Sequence, residues 1–482
     1  MSLPPYSVEI AVACLLVLVL VADMLSRHGT LAVWASYTAG LAVALVIAVA
    51  ARGEGTFVNG AYSADGLSWI AKIVLLIGAM LAGGLSLRGL PIRQKYHGAY
   101  AALLLGALLG MMVLVSSRDL LTMYVGLETS AISLYGLAAI AKADDLSLEA
   151  GLKYLVTGAL SSGILLYGLA LIYAGTGATT LDAIRAAAAA GVGASGAVGA
   201  PNALLTAGAI LILLGIGFKL SMVPMHVWTP DVYQGAPTAV AAFISVVSKS
   251  AGFVFFIRFF SYGFADLRQI WEPAVMVCAV LTMTVGNLAA IPQRSAKRLL
   301  AYSTISQAGY LLVGFLGPAS SGTSAVVFYL FVYTVSNLAA FAAVIAFSTA
   351  TGSDELDDYA GLARREPVLA LAFTFALLSL AGIPPLGGFI GKFYLFAAAM
   401  EKGYLWLVVV AALNSVVSLF YYLLVLRRMY ISEPSAVPRP RLSISVPVKA
   451  VLLITSIGIF WLGILPGSLM NVISGVSARV FP

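Results

Sequence analysis

The chain of 482 residues is 61% hydrophobic and only 10% charged, whereas soluble domains carry roughly 25% charged residues. That leaves too little polar surface to clothe a water-soluble particle, and a soluble enzyme is excluded. The net charge of +7 would suit a nucleic-acid partner, but the basic residues are spread through short connections between apolar runs, so none is expected.

The apolar runs predict an all-α polytopic membrane protein with about 14 spans. A β-barrel is excluded, because its strands alternate in polarity over about 10 residues. The expected spans are 6–25, 31–51, 67–87, 99–115, 120–140, 147–174, 203–225, 236–261, 271–291, 299–316, 323–349, 367–400, 404–426 and 447–468. The first includes "VEIAVACLLVLVLVADML", which lacks a basic start and a small-residue cleavage site and reads as a span, not a removable signal. Cys14 and Cys278 stand alone in apolar segments, so no disulfide framework, metal site or iron–sulfur cluster is expected. The one long connection, 175–202, holds a literal GxGxxG at Gly191, Gly193 and Gly196. A dinucleotide site needs that motif between a strand and a helix; here it reads as a flexible loop between two spans. The stretch 367–400 is too long for one straight span, and its "AGIPPLGGF" marks a broken helix. Residues 1–482 read as a single transmembrane domain without a soluble one.

The positive-inside rule orients this arrangement. Odd-numbered connections carry 15 Lys or Arg, among them Arg27, Arg88, Arg439 and Arg441, against six in the even connections and the C-terminal tail. Odd connections are therefore expected in the cytoplasm, and both termini on the other side.

Six basic residues fall inside spans: Lys72, Lys153, Lys219, Lys249, Arg258 and Lys392. Lys72 and Arg258 lie close enough to span ends to snorkel to the headgroups. Lys153, six residues past its span start, fits either snorkelling or a working role. Lys219, Lys249 and Lys392 are deep, and Glu128 lies about 13 Å into its span at 1.5 Å per residue. Glu128 with these lysines and Lys153 would cost over ~10 kcal/mol unpaired, so a purely decorative set is not expected. Helix breaks accompany them: Pro224 follows Lys219, and Pro384-Pro385 with Gly387-Gly388 precede Lys392. Paired breaks beside ionisable residues point to a midplane transport site. The broken seventh and twelfth spans are five apart, which suits two five-helix repeats. A lysine's ordinary pKa of about 10.4 falls on desolvation and recovers beside a carboxylate, so a Glu–Lys pair that opens and closes can pass protons. His226, an imidazole just past the first break, suits a relay position. Nothing points to covalent catalysis, a metal or a nucleotide.

Three stretches carry a family resemblance: "FKLSMVPMHVWTPDVYQGAPT" (218–238), "GNLAAIPQRSAKRLLAYSTISQAGY" (286–310) and "GIPPLGGFIGKFYLF" (382–396). They resemble the antiporter-like subunits of respiratory complex I, and most closely the N-type subunit of bacterial NADH–quinone oxidoreductase. The L-type has a long lateral helix after its last span, and the M-type a glutamate where this chain has Lys392. The resemblance implies 14 helices with two inverted five-helix repeats and broken seventh and twelfth helices. It implies a proton-translocating core over about 99–430, with peripheral helices in 1–98 and 431–482. By resemblance Glu128 and Lys219 form the interacting pair, Lys249 is the relay, and Lys392 leads towards a neighbouring subunit or the exit. Lys153 matches a lysine typical of the N-type, and His226 the histidine after the seventh-helix break. Gln307 stands where many relatives have histidine. The resemblance also implies that this chain binds no cofactor, with NADH, FMN, iron–sulfur clusters and quinone handled by partner subunits. K-type and M-type neighbours in a bacterial inner membrane, with both termini periplasmic, are expected. A multi-subunit cation/proton antiporter and a non-pumping scaffold stay open as alternatives.

Overall fold

The computed structural model describes residues 4–26, 29–87, 90–189, 203–433 and 442–481. The GxGxxG glycines and Arg27, Arg88, Arg439 and Arg441 lie outside these residues. The chain opens with α1 (Ser7–Leu25) and α2 (Thr30–Ala50), apolar helices whose outer faces remain exposed. A hairpin follows, β1 (Gly55–Phe57) against β2 (Tyr62–Ala64), in antiparallel register with Phe57 opposite Tyr62. It is a small β element, not expected from the sequence, in an otherwise helical chain. Its turn runs through Val58, Asn59 and Gly60, all at positive φ, and Asn-Gly is a turn pair suited to that backbone.

Then come α3 (Gly66–Ser86), α4 (His97–Ser116), α5 (Leu120–Ala138) and α6 (Asp145–Thr176). Asp65, Asp119 and Asp144 cap α3, α5 and α6 by accepting from first-turn amides, which ends the connections sharply at the helix starts. The connection expected to be a flexible loop contains α7 (Leu181–Ala189), an alanine-rich turn of helix that buries Leu181 and Ile184. Helix α8 (Ala203–Leu220) is followed after a break by α9 (Trp228–Gly235). The eighth span is continuous but irregular: α10 (Thr238–Phe243), a π-helical stretch (Ile244–Ser248), α11 (Lys249–Phe256) and a second π-helical stretch (Ile257–Gly263).

The remainder is α12 (Arg268–Ala290), α13 (Ala296–Phe315), α14 (Ala319–Thr351), the short α15 (Leu362–Arg365), α16 (Pro367–Ala381), α17 (Gly387–Glu401), α18 (Leu405–Tyr430), α19 (Val446–Ile464) and α20 (Pro466–Val480). Among the described residues, eleven helical segments are long and apolar enough to cross a membrane. The fold is a mostly helical, polytopic membrane type. The eighth span and α14 are buried at its centre, while α1, α2, α18 and α19 are mostly exposed apolar surface. Such surface belongs against lipid or a partner subunit, not water.

Candidate functional site

Helix α8 stops at Leu220 because Ser221 takes a left-handed backbone (φ 59°) and Pro224 has no amide to donate. In a membrane every backbone group so freed needs a protein or water partner. The Phe218 carbonyl accepts from the Trp228 indole at 3.0 Å, and the Val223 amide donates to Thr282 Oγ1 at 3.0 Å. The last carbonyl, of Leu220, accepts from Lys249 Nζ at 3.1 Å. Lys249 Nζ also donates to Ser221 Oγ at 2.5 Å, and Thr229 Oγ1 donates to the same oxygen at 2.7 Å. A buried ammonium thus sits on the negative end of a helix, where a cation is favoured. The π-helical stretch just before Lys249 adds a residue to that turn, a distortion frequent at functional sites.

Lys219, the residue before Leu220, is buried and donates to Ser130 Oγ of α5 at 3.2 Å. Glu128, half-buried on the same helix α5, accepts from Ser162 of α6. Glu128 and Lys219 do not form a salt bridge; both line a cavity of about 20 Å³ with Tyr135, Tyr154, Ser161 and Ser162. That volume admits one water.

The second break repeats this chemistry with different residues. Helix α16 ends at Gly382 (φ 91°), and α17 resumes at Gly387. Lys392 Nζ reaches back to the Ala381 carbonyl at 3.0 Å, donates to Ser415 Oγ at 2.9 Å, and lies 4.3 Å from the Tyr310 ring centroid. The close approach requires glycine: a Cβ at Gly388 would fall 1.6 Å from the Ser379 carbonyl oxygen.

Towards the Lys392 seat lies a cluster of buried polar contacts that single-residue reading missed. The Tyr333 hydroxyl donates to Thr304 Oγ1 at 2.9 Å, and Ser303 and Tyr422 share a hydrogen bond of 2.5 Å. Gln307 accepts from the Tyr329 hydroxyl at 2.5 Å and donates to the Leu380 carbonyl at 2.9 Å, one residue before the carbonyl that holds Lys392. The sequence signal was there, in the hydroxyl- and amide-rich "YSTISQAGY" of an otherwise apolar span.

Other expected residues are placed differently. Lys153 is not buried with the others: its side chain is 44% exposed and pairs with Glu149 and Asp231, each at 2.8 Å. Asp231, unnoticed in the sequence, also accepts from Arg298 at 3.0 Å and so ties α6, α9 and α13 together. His226 is only half-buried; its Nδ1 has no hydrogen-bond partner, and among the described residues no hydrogen bond or ion pair joins it to the lysines. Lys72 and Arg258 do not snorkel. Lys72 is buried against Glu9 at 2.7 Å, and Arg258 grips both carboxylate oxygens of Asp65 at 2.8 and 2.7 Å. Each had a carboxylate in reach on another element, and that partner could not be seen from its own span. Burial by itself would raise the Asp65 carboxyl, but Arg258, the Ser68 amide and Arg118 hold it well below the usual carboxylate range. Among the described residues, no group of three or more His, Cys, Asp or Glu could hold a metal ion.

Residues 117–418, which contain both breaks and all the central lysines, match the NADH:quinone oxidoreductase/Mrp antiporter transmembrane family. NADH-quinone oxidoreductase subunit N of Moorella thermoacetica is 45% identical over 434 residues, covering 90% of this chain and 89% of that one. A chain of respiratory complex I from Thermus thermophilus, solved with bound aureothin, is 34% identical with a TM-score of 0.79, over 96% of this chain and 98% of that one. A chain of the Mrp complex from Dietzia sp. DQ12-45-1b shares the fold at 24% identity, with a TM-score of 0.87 over 99% and 97% of the two chains. With the family's match spanning both broken helices and a subunit N relative aligned over nearly its whole length, this chain belongs to the NADH:quinone oxidoreductase/Mrp antiporter family, among the NADH-quinone oxidoreductase N subunits.

Proposed function

We propose that this chain is a proton-translocating membrane-arm subunit of an NADH-quinone oxidoreductase, and that Glu128, Lys219, Lys249 and Lys392 carry the protons. The observation that supports it best is the pair of ammonium groups, Lys249 and Lys392, each seated on the open carbonyl end of a broken helix. Closing the Glu128–Lys219 pair across its cavity keeps a proton on Lys219; when the pair opens, Lys249 first gives its own proton up towards Lys392 and then, as a neutral amine, takes the one that Lys219 releases. The Thr304–Tyr333 and Gln307–Tyr329 hydrogen bonds supply hydroxyl and amide groups along the way to Lys392. Gln307 cannot itself take up a proton, so it serves by orienting hydroxyls or holding a water. Lys153 and His226 stand apart from this line and act, in this reading, at its cytoplasmic mouth.

The same reading gives 14 spans, with two inverted five-helix repeats inside a core of about 99–430 and peripheral helices in 1–98 and 431–482. It places the chain in a bacterial inner membrane with periplasmic termini. K-type and M-type subunits are its neighbours, and NADH, FMN, iron–sulfur and quinone chemistry belongs to other subunits. The likeness in fold to the Mrp complex chain keeps a cation/proton antiporter as the second reading. Copurification separates the two: an assembly containing flavin and iron–sulfur clusters supports the first, and an assembly lacking both supports the antiporter. Lys219→Ala tests the site. It is expected to assemble and to lose NADH-driven pumping by this subunit in inverted vesicles; full pumping would overturn the role given to Lys219.

A further inference from the structure

A second set of buried ionisable groups lies away from the central lysines, at the membrane face bearing the hairpin and the start of α3. Glu9 of α1 is 8% exposed and Lys72 of α3 is 4% exposed. Lys72 Nζ meets Glu9 Oε1 at 2.7 Å, and the Tyr62 hydroxyl of β2 bridges them at 2.7 Å from Lys72 and 3.0 Å from Glu9. Ser116 Oγ donates to the same Glu9 oxygen at 3.3 Å, whereas Glu9 Oε2 is buried with no hydrogen-bond partner. A static ion pair has no need of an orphaned carboxylate oxygen, and one buried in this way is costly. Ionisable residues inside a membrane mark proton and ion pathways.

Beside this pair, a cavity of about 10 Å³, room for a single water, is lined by both Lys72 and Asp65. Asp65 also borders two larger open pockets, of about 540 and 300 Å³. It is therefore the one carboxylate standing between the buried pair and the surface vestibule, among the described residues. Both its oxygens are held by Arg258, and one also accepts from Arg118 at 3.2 Å. Arg258 lies in the second π-helical stretch of the same span that carries Lys249, nine residues on.

We propose that Glu9, Lys72 and Tyr62 form a proton-release site at this face, closed from the vestibule by the Asp65–Arg258 pair. This rests on the proton-translocating reading above. A proton arriving from within the protein forms an O–H bond at Glu9 Oε2. When Arg258 leaves Asp65, Lys72 gives one N–H proton to the cavity water, which passes a proton to the vestibule past Asp65. The Glu9 O–H bond then breaks, and its proton restores the Lys72 ammonium across their contact. One proton has left, and Glu9 is a carboxylate again. Among the described residues, the charged groups facing the pair are Asp65 and Arg258, with Arg118 on Asp65, and none of them changes charge in the cycle.

The test uses the whole complex in inverted vesicles, with Lys219→Ala alongside. Glu9→Gln/Lys72→Met removes both charges at nearly constant shape, so no unpaired charge is left buried. It is expected to assemble and oxidise NADH, with protons moved per NADH falling as far as in Lys219→Ala. Assembly with full pumping would overturn the proposal and leave the pair as a tie between α1 and α3. If the double variant does not assemble, Glu9→Asp decides, because it keeps the charge pair but withdraws the carboxylate by one methylene. Lowered pumping with a displaced pH profile supports the proposal, and unchanged pumping and profile overturn it. Full pumping by Lys219→Ala would instead refute the underlying reading.

Discussion

Replacing Lys249 by methionine separates a working ammonium from a structural one. The side chain is 2% exposed, and Nζ makes two hydrogen bonds, to the Leu220 carbonyl at 3.1 Å and to Ser221 Oγ at 2.5 Å. Hydrogen bonds to a charged group contribute about 1.5–3 kcal/mol each, so the substitution forfeits roughly 3–6 kcal/mol. Against this stands the cost of burying an ammonium, several kcal/mol even after relaxation. Among the described residues no carboxylate forms a salt bridge with Lys249, so no buried anion is stranded when it goes. The two terms largely cancel, and the assembled variant is expected within about 2 kcal/mol of the original stability. Methionine also fills nearly the same volume, which spares the surrounding packing. Pumping is a different matter, because a thioether carries no proton. In inverted vesicles, NADH-driven acidification is expected to fall while the complex is recovered at its usual yield and melting temperature. Collapse of assembly would show that the ammonium holds α8 to the eighth span. Unchanged acidification would refute the relay through the first break.

Asp65→Asn removes one partner of a buried, two-pronged ion pair, and about 3–5 kcal/mol of stability is expected to go with it. Because the Asp65 carboxyl is held below its ordinary value, its contribution is present above the unfolded value of about 3.9 and disappears as pH falls through the depressed one. The gap in melting temperature between the original chain and Asp65→Asn should therefore be constant from about pH 5 to 8 and close only below about pH 4; a gap that closes near neutral pH would refute this. Gly388→Ala drives a Cβ to 1.6 Å from the Ser379 carbonyl oxygen, so the second break cannot keep its shape. Severely reduced assembly is expected on native gels, and normal recovery of a pumping complex would contradict the geometry. Lys153→Met, at an exposed side chain apart from the buried line, should leave assembly unchanged and reduce pumping less than Lys249→Met does in the same vesicles.

Much of this molecule was legible because a bilayer imposes severe rules on sequence. The helices stand within a few residues of the stretches that apolar length marked out, since a span of about 20 residues is dictated by hydrocarbon thickness. The two breaks were equally plain: Pro224 and the Pro384-Pro385-Leu386-Gly387-Gly388 run admit no regular helix. The deep lysines announced themselves by their cost.

What the sequence could not show is which group each charge meets, since partners come from elements far apart in the chain. Lys249 is aimed at α8 by a π-helical turn that leaves no mark in hydrophobic periodicity. Lys72 and Arg258 read as snorkelling because distance to a span end is a local property, whereas Glu9 and Asp65 are brought to them by packing. Lys153 fitted either a snorkelling or a working role, and the packing sets it in exposed ion pairs with Glu149 and Asp231. The hairpin and α7 went unread because both are short and lie outside the long apolar runs, where length and hydropathy no longer constrain the chain. Composition thus determined that the chain crosses a membrane and where its helices break. Only the tertiary packing decided that two lysines rest on those broken ends, and that a second buried pair waits behind Asp65.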